Sequence, residues 1–387
     1  MSRTSDALSD ALFGGVYSAG RVAAAVTGEA WLQAMLDFEA ALARAGAAEG
    51  LVPAASAAAI AAACRADRFD VVALSREGAR HATPVVPLVA ALRGAVGEPH
   101  AEYVHREATS QDVIDTAAVL VATRAGQPLL DDAGAAAAAA AAGARRHADT
   151  PMVGRTLLQQ ALPVSFGLVA AGWSHWVAEA TAGLRATIER LPVQLGGPVG
   201  SVSPVLTARV ASELGLSQPA LPWHTGRVPM ARLAAALGIL AGALGKVARD
   251  VTLLASPEVG EVREGGDDTA GVSSSMPHKH NPVAAVSVLA CAKRTPGLVA
   301  TILAAMEQEH QRAAGAWQSE WGTLTEMLVL TGSAAAWARH LLEHLQVDPE
   351  RMRVNLDDLA AGGVEAAADP EQALGAAAEL IVRAVTE

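Results

Sequence analysis

The chain has 387 residues, 51% of them apolar, and carries a formal net charge of −11 at pH 7. A chain of this length buries a large core. The acidic balance without a long basic run argues against nucleic acid as a partner. The two cysteines, Cys64 and Cys291, lack metal-ligand spacing, so we expect a reduced, cytoplasmic protein without a structural metal.

The positive mean hydropathy, +0.27, does not by itself indicate a membrane protein, because alanine supplies most of it. The most apolar stretch, Ala135–Ala142, is flanked by charged residues. It is far shorter than the ~20 apolar residues that a membrane span needs. The segment 1–15 lacks the basic start and apolar core of a signal peptide. We therefore expect no membrane association.

Helical periodicity begins near residue 31 and continues through the chain. Trp31, Met35, Phe38 and Leu42 recur at spacings of three and four, which places them on one face of a helix. Alternation of β-branched residues is nearly absent, so we expect sheet to be unimportant. Alanine-rich helices pack closely, and the pattern predicts an all-α fold built as a long helical bundle. Similar stripes run through 111–146, 157–190, 228–256, 283–313 and 318–345.

Glycine and proline clusters at 84–99, 196–200 and 215–222 separate these helices. The longest polar loop, 261–282, lies between two of the predicted helices and is rich in serine, histidine and lysine. A loop of this composition is a candidate functional site, although a solvated turn can have the same composition.

Within this loop, the segment Ser273–Pro282 reads SSSMPHKHNP. It resembles the signature of the fumarase/aspartase superfamily, in which two serines precede x-Met-Pro-x-Lys-x-Asn-Pro. Ala108–Ala117 and Gly154–Pro163 resemble the first and second substrate-binding segments of that superfamily, and Gln194–Gly197 resembles the glycine turn that follows them. The order of the segments is the expected one.

Two further segments narrow the resemblance. Pro222–Thr225 and Gly315–Trp321 are similar to segments of the carboxymuconate cycloisomerase branch, and the resemblance covers roughly residues 10–350. It implies three helical regions: an N-terminal domain 1–100, a central long-helix bundle 101–345 with the catalytic segments, and a shortened C-terminal region 346–387. It also implies a homotetramer whose active sites draw motif segments from different subunits. No cofactor or metal is implied.

The chemistry of the superfamily assigns expected roles. A base moves a proton α to a carboxylate, and a fixed cradle holds the charge that develops on that carboxylate. By resemblance Ser273 is the catalytic serine, and Lys279 and the loop amides lower its pKa. Arg155 and Arg227, which also lie near the motifs, are further candidate cations for the substrate carboxylates, but a surface salt bridge is the favoured role for each. The expected substrate-binding residues are Thr109, Ser110, Gln159, Asn281, Arg312, His105 and His278.

One departure from the superfamily is informative. Many members carry a histidine general acid directly after the threonine of the second segment, and Leu157 stands there instead. A leaving alkoxide or hydroxide requires a proton, since water has a pKa of about 15.7, whereas a carboxylate with a pKa of about 4 does not. The difference of roughly 11 pKa units corresponds to about 15 kcal/mol. Leu157 therefore favours a lactone-forming cycloisomerase over fumarase, aspartase or argininosuccinate lyase.

The resemblance implies conversion of 3-carboxy-cis,cis-muconate, a small polycarboxylate, to carboxymuconolactone in the β-ketoadipate pathway. A β-elimination lyase with an acidic leaving group on a succinyl-type substrate is an alternative; an adenylosuccinate-type C–N lyase is disfavoured by Leu157. The β-elimination lyase with an acidic leaving group stays open because Val272 and Glu107 replace expected glycines and His280 replaces an expected arginine. A non-catalytic scaffold relative is a third reading, against which the intact Ser273 argues.

Overall fold

The computed structural model describes residues 12–266, 271, 276 and 279–386. This part of the chain is mostly helical, which confirms the all-α fold class. The helices are α1 (Gly14–Tyr17), α2 (Gly28–Ala48), α3 (Ala54–Ala63), α4 (Val71–Gly78), α5 (Val85–Val96), α6 (Ser110–Arg146), α7 (Phe166–Glu189), α8 (Pro204–Leu214), α9 (Val228–Leu254), α10 (Val283–Ala304), α11 (Ala316–Glu343), α12 (Pro349–Ala361) and α13 (Ala377–Thr386).

The long helices α6, α7, α9, α10 and α11 form the central bundle. Helix α6 packs against α7 and α11, and α9 packs against α7, α10 and α11. Alanine, leucine and valine make up most of the buried apolar residues, and the small alanine side chains let the helix axes approach closely. Helix α2 packs against α3, α6 and α8 at one end, while α12 and α13 lie at the other, against β1 and α7.

Four short strands form two antiparallel pairs. Strands β1 (Pro151–Thr156) and β2 (Gln159–Ser165) make a hairpin, and β3 (Val262–Glu264) pairs with β4 (Leu345–Val347). The second pair joins the start of the 261–282 loop to the end of α11. The expectation that sheet is unimportant is therefore wrong locally, because the hairpin carries the second motif segment.

Two predicted helical stripes are longer than the helices observed. The stripe at 157–190 begins as β2, and α7 starts only at Phe166, with the Ser165 side chain accepting from the Leu168 amide. Pro163 lacks an N–H and clashes in a helix interior, which explains the later start. The stripe at 283–313 ends at Ala304, and His310 beyond it has a left-handed φ of +47°.

The predicted domain boundaries at 100/101 and 345/346 stay predictions. The first falls just before a short 3-10 turn, Ala101–Tyr103, and the second falls within β4.

Helices α9 and α10 are each long and apolar enough, by length and composition, to cross a membrane. Both, however, pack along α11 inside the bundle. Helix α9 contributes a continuous row of buried residues, including Leu233, Leu237, Leu240 and Leu244. Burial in the bundle accounts for part of their apolar character, whereas other apolar side chains of both helices, such as Ile239 and Val286, are exposed.

Candidate active site

The first motif segment ends a turn and begins the longest helix. Thr109 has extended backbone and precedes α6, which starts at Ser110. Both residues are half-buried at the N-terminus of a 37-residue helix. Unpaired N–H groups and the helix dipole favour a negative charge at this position. The location fits the expected role of Thr109 and Ser110 in holding a substrate carboxylate.

Asp112, in the first turn of α6, is the hub of this region. Its wholly buried carboxylate accepts five hydrogen bonds. Oδ1 is bonded to Gln194 Nε2 at 3.0 Å, the Gly196 amide at 2.9 Å and His224 Nε2 at 2.6 Å. Oδ2 is bonded to the Thr109 amide at 3.0 Å and the Gly197 amide at 2.9 Å. One carboxylate thus joins the first segment, the glycine turn and the segment Pro222–Thr225.

The glycine turn is required by this packing. Gly197 has a φ of +65°, and a Cβ there would lie 2.8 Å from the Glu107 carbonyl oxygen. Only glycine meets both conditions without strain.

Arg312 reaches the same turn from the loop between α10 and α11. Its Nη2 donates to the carbonyls of Gly197 at 3.1 Å and Pro198 at 2.7 Å, and its Nη1 donates to Gln111 Oε1 at 3.1 Å. All three acceptors are neutral. Among the described residues no carboxylate pairs with Arg312, so its positive charge is held in place and left available to an anion.

A second buried network lies behind the first. The carboxylate of Asp115 accepts from Arg227 Nη1 at 2.7 Å, Arg227 Nη2 at 3.0 Å and Trp317 Nε1 at 2.9 Å. Arg227 also pairs with Glu320 and lies 4.9 Å from the centre of the Trp223 ring. Burial raises the pKa of the Glu320 carboxyl despite the opposing effect of Arg227. Arg227 is therefore neutralised by a buried ion pair, and the surface salt bridge expected for it is wrong in its location.

The second motif segment forms the tip of the β1–β2 hairpin. Leu157 and Leu158 occupy the turn with left-handed φ values of +51° and +64°, and their exposed fractions are 96% and 74%. Gln159, the first residue of β2, is also exposed. Two exposed leucines in a backbone conformation that disfavours them are costly in isolation. Arg155, before the tip, is paired with the wholly buried Glu261, so its salt bridge lies mostly inside the protein and not at the surface as expected.

The Ser273 loop is described at its ends. Ser273, His278 and Val272 lie outside the described residues. Gly271 has a left-handed φ of +74°, a conformation that glycine adopts without strain. Its carbonyl accepts from the backbone amide of Asn281 at 2.9 Å and from Asn281 Nδ2 at 3.0 Å. Asn281 thus closes the base of the loop.

Lys279 lies on an open cavity of about 1350 Å³. Glu264, on the same cavity, accepts from the amides of Ala284 and Ala285 at 3.0 and 2.8 Å and so caps the N-terminus of α10. The side chain of Lys279 is exposed at the edge of this cavity. The stem of the loop is therefore fixed while Lys279 faces open space.

His105 lies before the first segment and is already bonded. Its Nδ1 is 2.6 Å from Oε1 of the buried Glu39. Burial lowers the pKa of His105, but the charge and hydrogen bond of Glu39 outweigh that effect, and the pKa is raised overall. His105 and Glu107 both have left-handed φ, +65° and +68°. The conformation at Glu107 explains why glycine is expected there.

The predicted residues fall into separate groups. Thr109, Ser110 and Arg312 lie around one glycine turn. Gln159 lies at the hairpin tip, and Lys279 and Asn281 lie at the loop stem. Within the described ranges, no hydrogen bond or ion pair joins Gln159 or Lys279 to the first group. That these groups form one site stays a prediction.

Sequence reasoning missed the residues that organise the site, namely Gln111, Asp112, Asp115, Glu264 and Glu320. Asp112 carried a usable signal, because an acidic residue three positions after a threonine is typical of a helix start. Gln111, Asp115 and Glu320 lie within the matched segments Ala108–Ala117 and Gly315–Trp321, but their roles depend mainly on partners that are distant in sequence.

Comparison with known proteins places this geometry in a family. A family model described as a lyase matches residues 16–297. The 3-carboxy-cis,cis-muconate cycloisomerase of Bradyrhizobium diazoefficiens is 46% identical over 350 residues, covering 88% of this chain and 78% of the relative. The nitrosuccinate lyase of Streptomyces davaonensis is 45% identical, covering 87% of this chain and 74% of the relative.

A solved structure of similar fold supports the same assignment. The 3-carboxy-cis,cis-muconate lactonizing enzyme of Pseudomonas putida superimposes with a TM-score of 0.88 at 36% identity, covering 97% of this chain and 98% of that one. Matching motifs, fold and relatives lead to one conclusion: the chain belongs to the lyase family of the fumarase/aspartase superfamily.

Proposed function

We propose that this chain is an enzyme that converts 3-carboxy-cis,cis-muconate to its lactone. The observation that carries the proposal is the hairpin tip, where Leu157 presents an apolar side chain in place of a proton donor. A reaction whose nucleophile or leaving group is a carboxylate needs no donor at that position. Relatives with this activity, at 46% identity, support the same substrate class.

The proposed reaction combines addition and proton transfer. A carboxylate oxygen of the substrate adds to the carbon β to another carboxylate. The electron pair of the double bond shifts to form an aci-carboxylate, and a proton moves to the α carbon through Ser273. Lys279 and the amides at the start of α6 stabilise the developing charge. Arg312 binds a remaining carboxylate with its guanidinium group.

We propose further that the enzyme is a cytoplasmic homotetramer with composite sites. Exposed apolar side chains on α9 and α10, including Ile239, Val286 and Leu303, support an interface. A groove of about 1020 Å³ between α7 and α9, edged by the exposed Trp176, lies on the same side of α9 as Ile239. The groove is lined mainly by apolar side chains, which is the character expected of an interaction surface. An active, stable monomer in size-exclusion chromatography would contradict this part of the proposal.

The first test is ultraviolet absorbance of the purified protein mixed with 3-carboxy-cis,cis-muconate. The conjugated diene absorbs and the lactone does not, so turnover appears as a loss of absorbance. We expect rapid loss with the wild-type protein and none with Ser273→Ala, because removal of the proton-transfer residue abolishes the chemical step. A near-normal rate in Ser273→Ala would exclude the serine as that residue.

A β-elimination lyase is the second candidate. The nitrosuccinate lyase relative is nearly as similar as the cycloisomerases, and a leaving group that departs as a stable anion is equally compatible with Leu157. Glu107, which stands where glycine is expected, also favours a lyase, because a carboxylate beside the first segment would repel a substrate with three negative charges. Release of nitrite from nitrosuccinate, without absorbance change in the muconate assay, would decide for it.

A further inference from the structure

A buried polar cluster joins three distant parts of the chain. The carboxylate of Glu261 is fully buried. Its Oε1 accepts from Arg155 Nη2 and Asn355 Nδ2, each at 2.8 Å, and its Oε2 accepts from Arg155 Nη1 at 2.9 Å. Both oxygens are occupied in a bidentate geometry, which is the strong and directional form of this contact. These three residues form the Arg155–Glu261–Asn355 triad.

Each member of the triad belongs to a different functional part. Arg155 lies in β1, two residues before Leu157 at the hairpin tip. Glu261 directly precedes β3, whose last residue, Glu264, caps α10 at the far end of the Ser273 loop. Asn355 lies on α12 in the C-terminal region. The triad is thus the place where the hairpin, the loop stem and the C-terminal region meet.

Helix α12 braces this junction further. Asn355 Nδ2 and Arg351 Nε both donate to the Val259 carbonyl at 3.0 Å. The side chain of Val153, in β1, packs in a small apolar cluster with Leu356 of α12. The hairpin and the loop stem are therefore held against one surface, and displacement of either breaks buried contacts of the other.

We propose that Arg155, Glu261 and Asn355 are positioning residues that make the hairpin and the stem of the Ser273 loop move as one unit. The effect on catalysis rests on the proposed function. In the proposed tetramer the hairpin and the loop of one chain serve different active sites. The triad then links two sites through a single chain, with α12 as the support.

The test requires a variant that folds. Removing one partner alone strands a buried charge, so we choose the double variant Arg155→Met/Glu261→Met, which replaces the pair with apolar side chains of similar volume. The matched control is Arg44→Met/Glu213→Met. That pair joins α2 to α8 through a 2.7 Å contact away from the hairpin and the loop.

The first readout is amide hydrogen exchange, which needs no substrate. The stem is reported by the amides of Asn281, Ala284 and Ala285, which donate to Gly271 and Glu264, and the hairpin by the amides of β1 and β2. We expect both sets to exchange roughly tenfold faster in the triad variant and to be unchanged in the control. Faster exchange in the hairpin with wild-type rates in the stem would overturn the proposal.

The second readout is steady-state kinetics with 3-carboxy-cis,cis-muconate. We expect kcat to fall at least about tenfold in the triad variant with KM within about threefold, because positioning affects the chemical step more than binding. Wild-type kcat in a stable triad variant would reduce the triad to a structural role. A wild-type protein without turnover would contradict the proposed function instead, and hydrogen exchange would still decide the coupling.

Discussion

The first motif segment and the second differ sharply in how they are held. Around Thr109 and Ser110, a buried carboxylate fixes five donors, and Arg312 is held by three neutral acceptors. At the hairpin tip, Leu157 and Leu158 are exposed and adopt a left-handed backbone. The first segment is organised by its own chain, whereas the tip has few contacts of its own. A strained and exposed apolar tip is what the proposed composite site requires of a segment that serves a neighbouring subunit.

The largest effect should come from breaking the organised side. Asp112→Ala leaves several buried donors without an acceptor, and we expect it to lower the free energy of unfolding by roughly 4 kcal/mol. Urea denaturation measures this change. The control is Asp131→Ala, on the exposed side of the same helix, where the ion pair with Arg21 should contribute at most about 1 kcal/mol. Equal losses in the two variants would show that Asp112 is not a hub.

The second largest effect should come from replacing Arg312, and it should appear in activity and not in stability. Arg312→Met removes the cation that is free of a carboxylate partner, and we expect kcat/KM for the muconate substrate to fall roughly 100-fold, or about 2.7 kcal/mol. Arg312→Lys should recover part of the rate, since it keeps the charge but loses the planar fork. Arg76→Met, at an exposed position on α4, is the control for loss of a positive charge. A normal kcat/KM in Arg312→Met would remove Arg312 from the site.

A substitution at the hairpin tip should raise stability, in contrast to the loss expected for Asp112→Ala. Leu158→Gly relieves a left-handed backbone and should stabilise the hairpin by about 1–2 kcal/mol, while turnover falls because the tip loses its apolar side chain. Leu162→Gly is the matched control, since Leu162 is an exposed leucine of the same hairpin in ordinary strand conformation. That change should lower stability. Thermal melting and kcat should be measured for both variants, because only Leu158→Gly is expected to combine higher stability with lower turnover. A Leu158→Gly variant less stable than the wild type would contradict the strain argument.

The smallest effect concerns pH. Because Glu39 raises the pKa of His105 in the folded protein, this pair contributes stability that is fully present below the unfolded histidine pKa of about 6.5 and is lost as the pH rises through the folded value. We expect the wild type to exceed His105→Gln by about 1 kcal/mol at pH 6. The difference should shrink by pH 9, as urea melts at both pH values would show. A constant difference would mean that the charge of His105 does not matter.

The motif segments and most long helices could be predicted from the sequence, because periodicity and residue order are local signals. The hairpin could not, since the chain from Leu157 onward reads as part of the helical stripe 157–190 until the partner strand is known. The roles of buried polar residues could not be predicted either, because their partners are also unknown from the sequence. Asn281 was expected to orient the substrate, and the structure shows that its amide also closes the loop base on Gly271. Ser273 and His278 remain predictions.

The closure of Gly271 on Asn281 also has an entropic consequence. The contact joins residues ten positions apart, whereas the next tie, from Glu264 to Ala284, joins residues twenty apart. The signature serine therefore lies in a small ring nested inside a larger one. Doubling the length of a closed loop costs only about 0.6 kcal/mol of chain entropy. Holding the inner ring closed therefore costs chain entropy, which the two hydrogen bonds between Asn281 and Gly271 offset, and the outer tie at Glu264 persists if the inner one breaks.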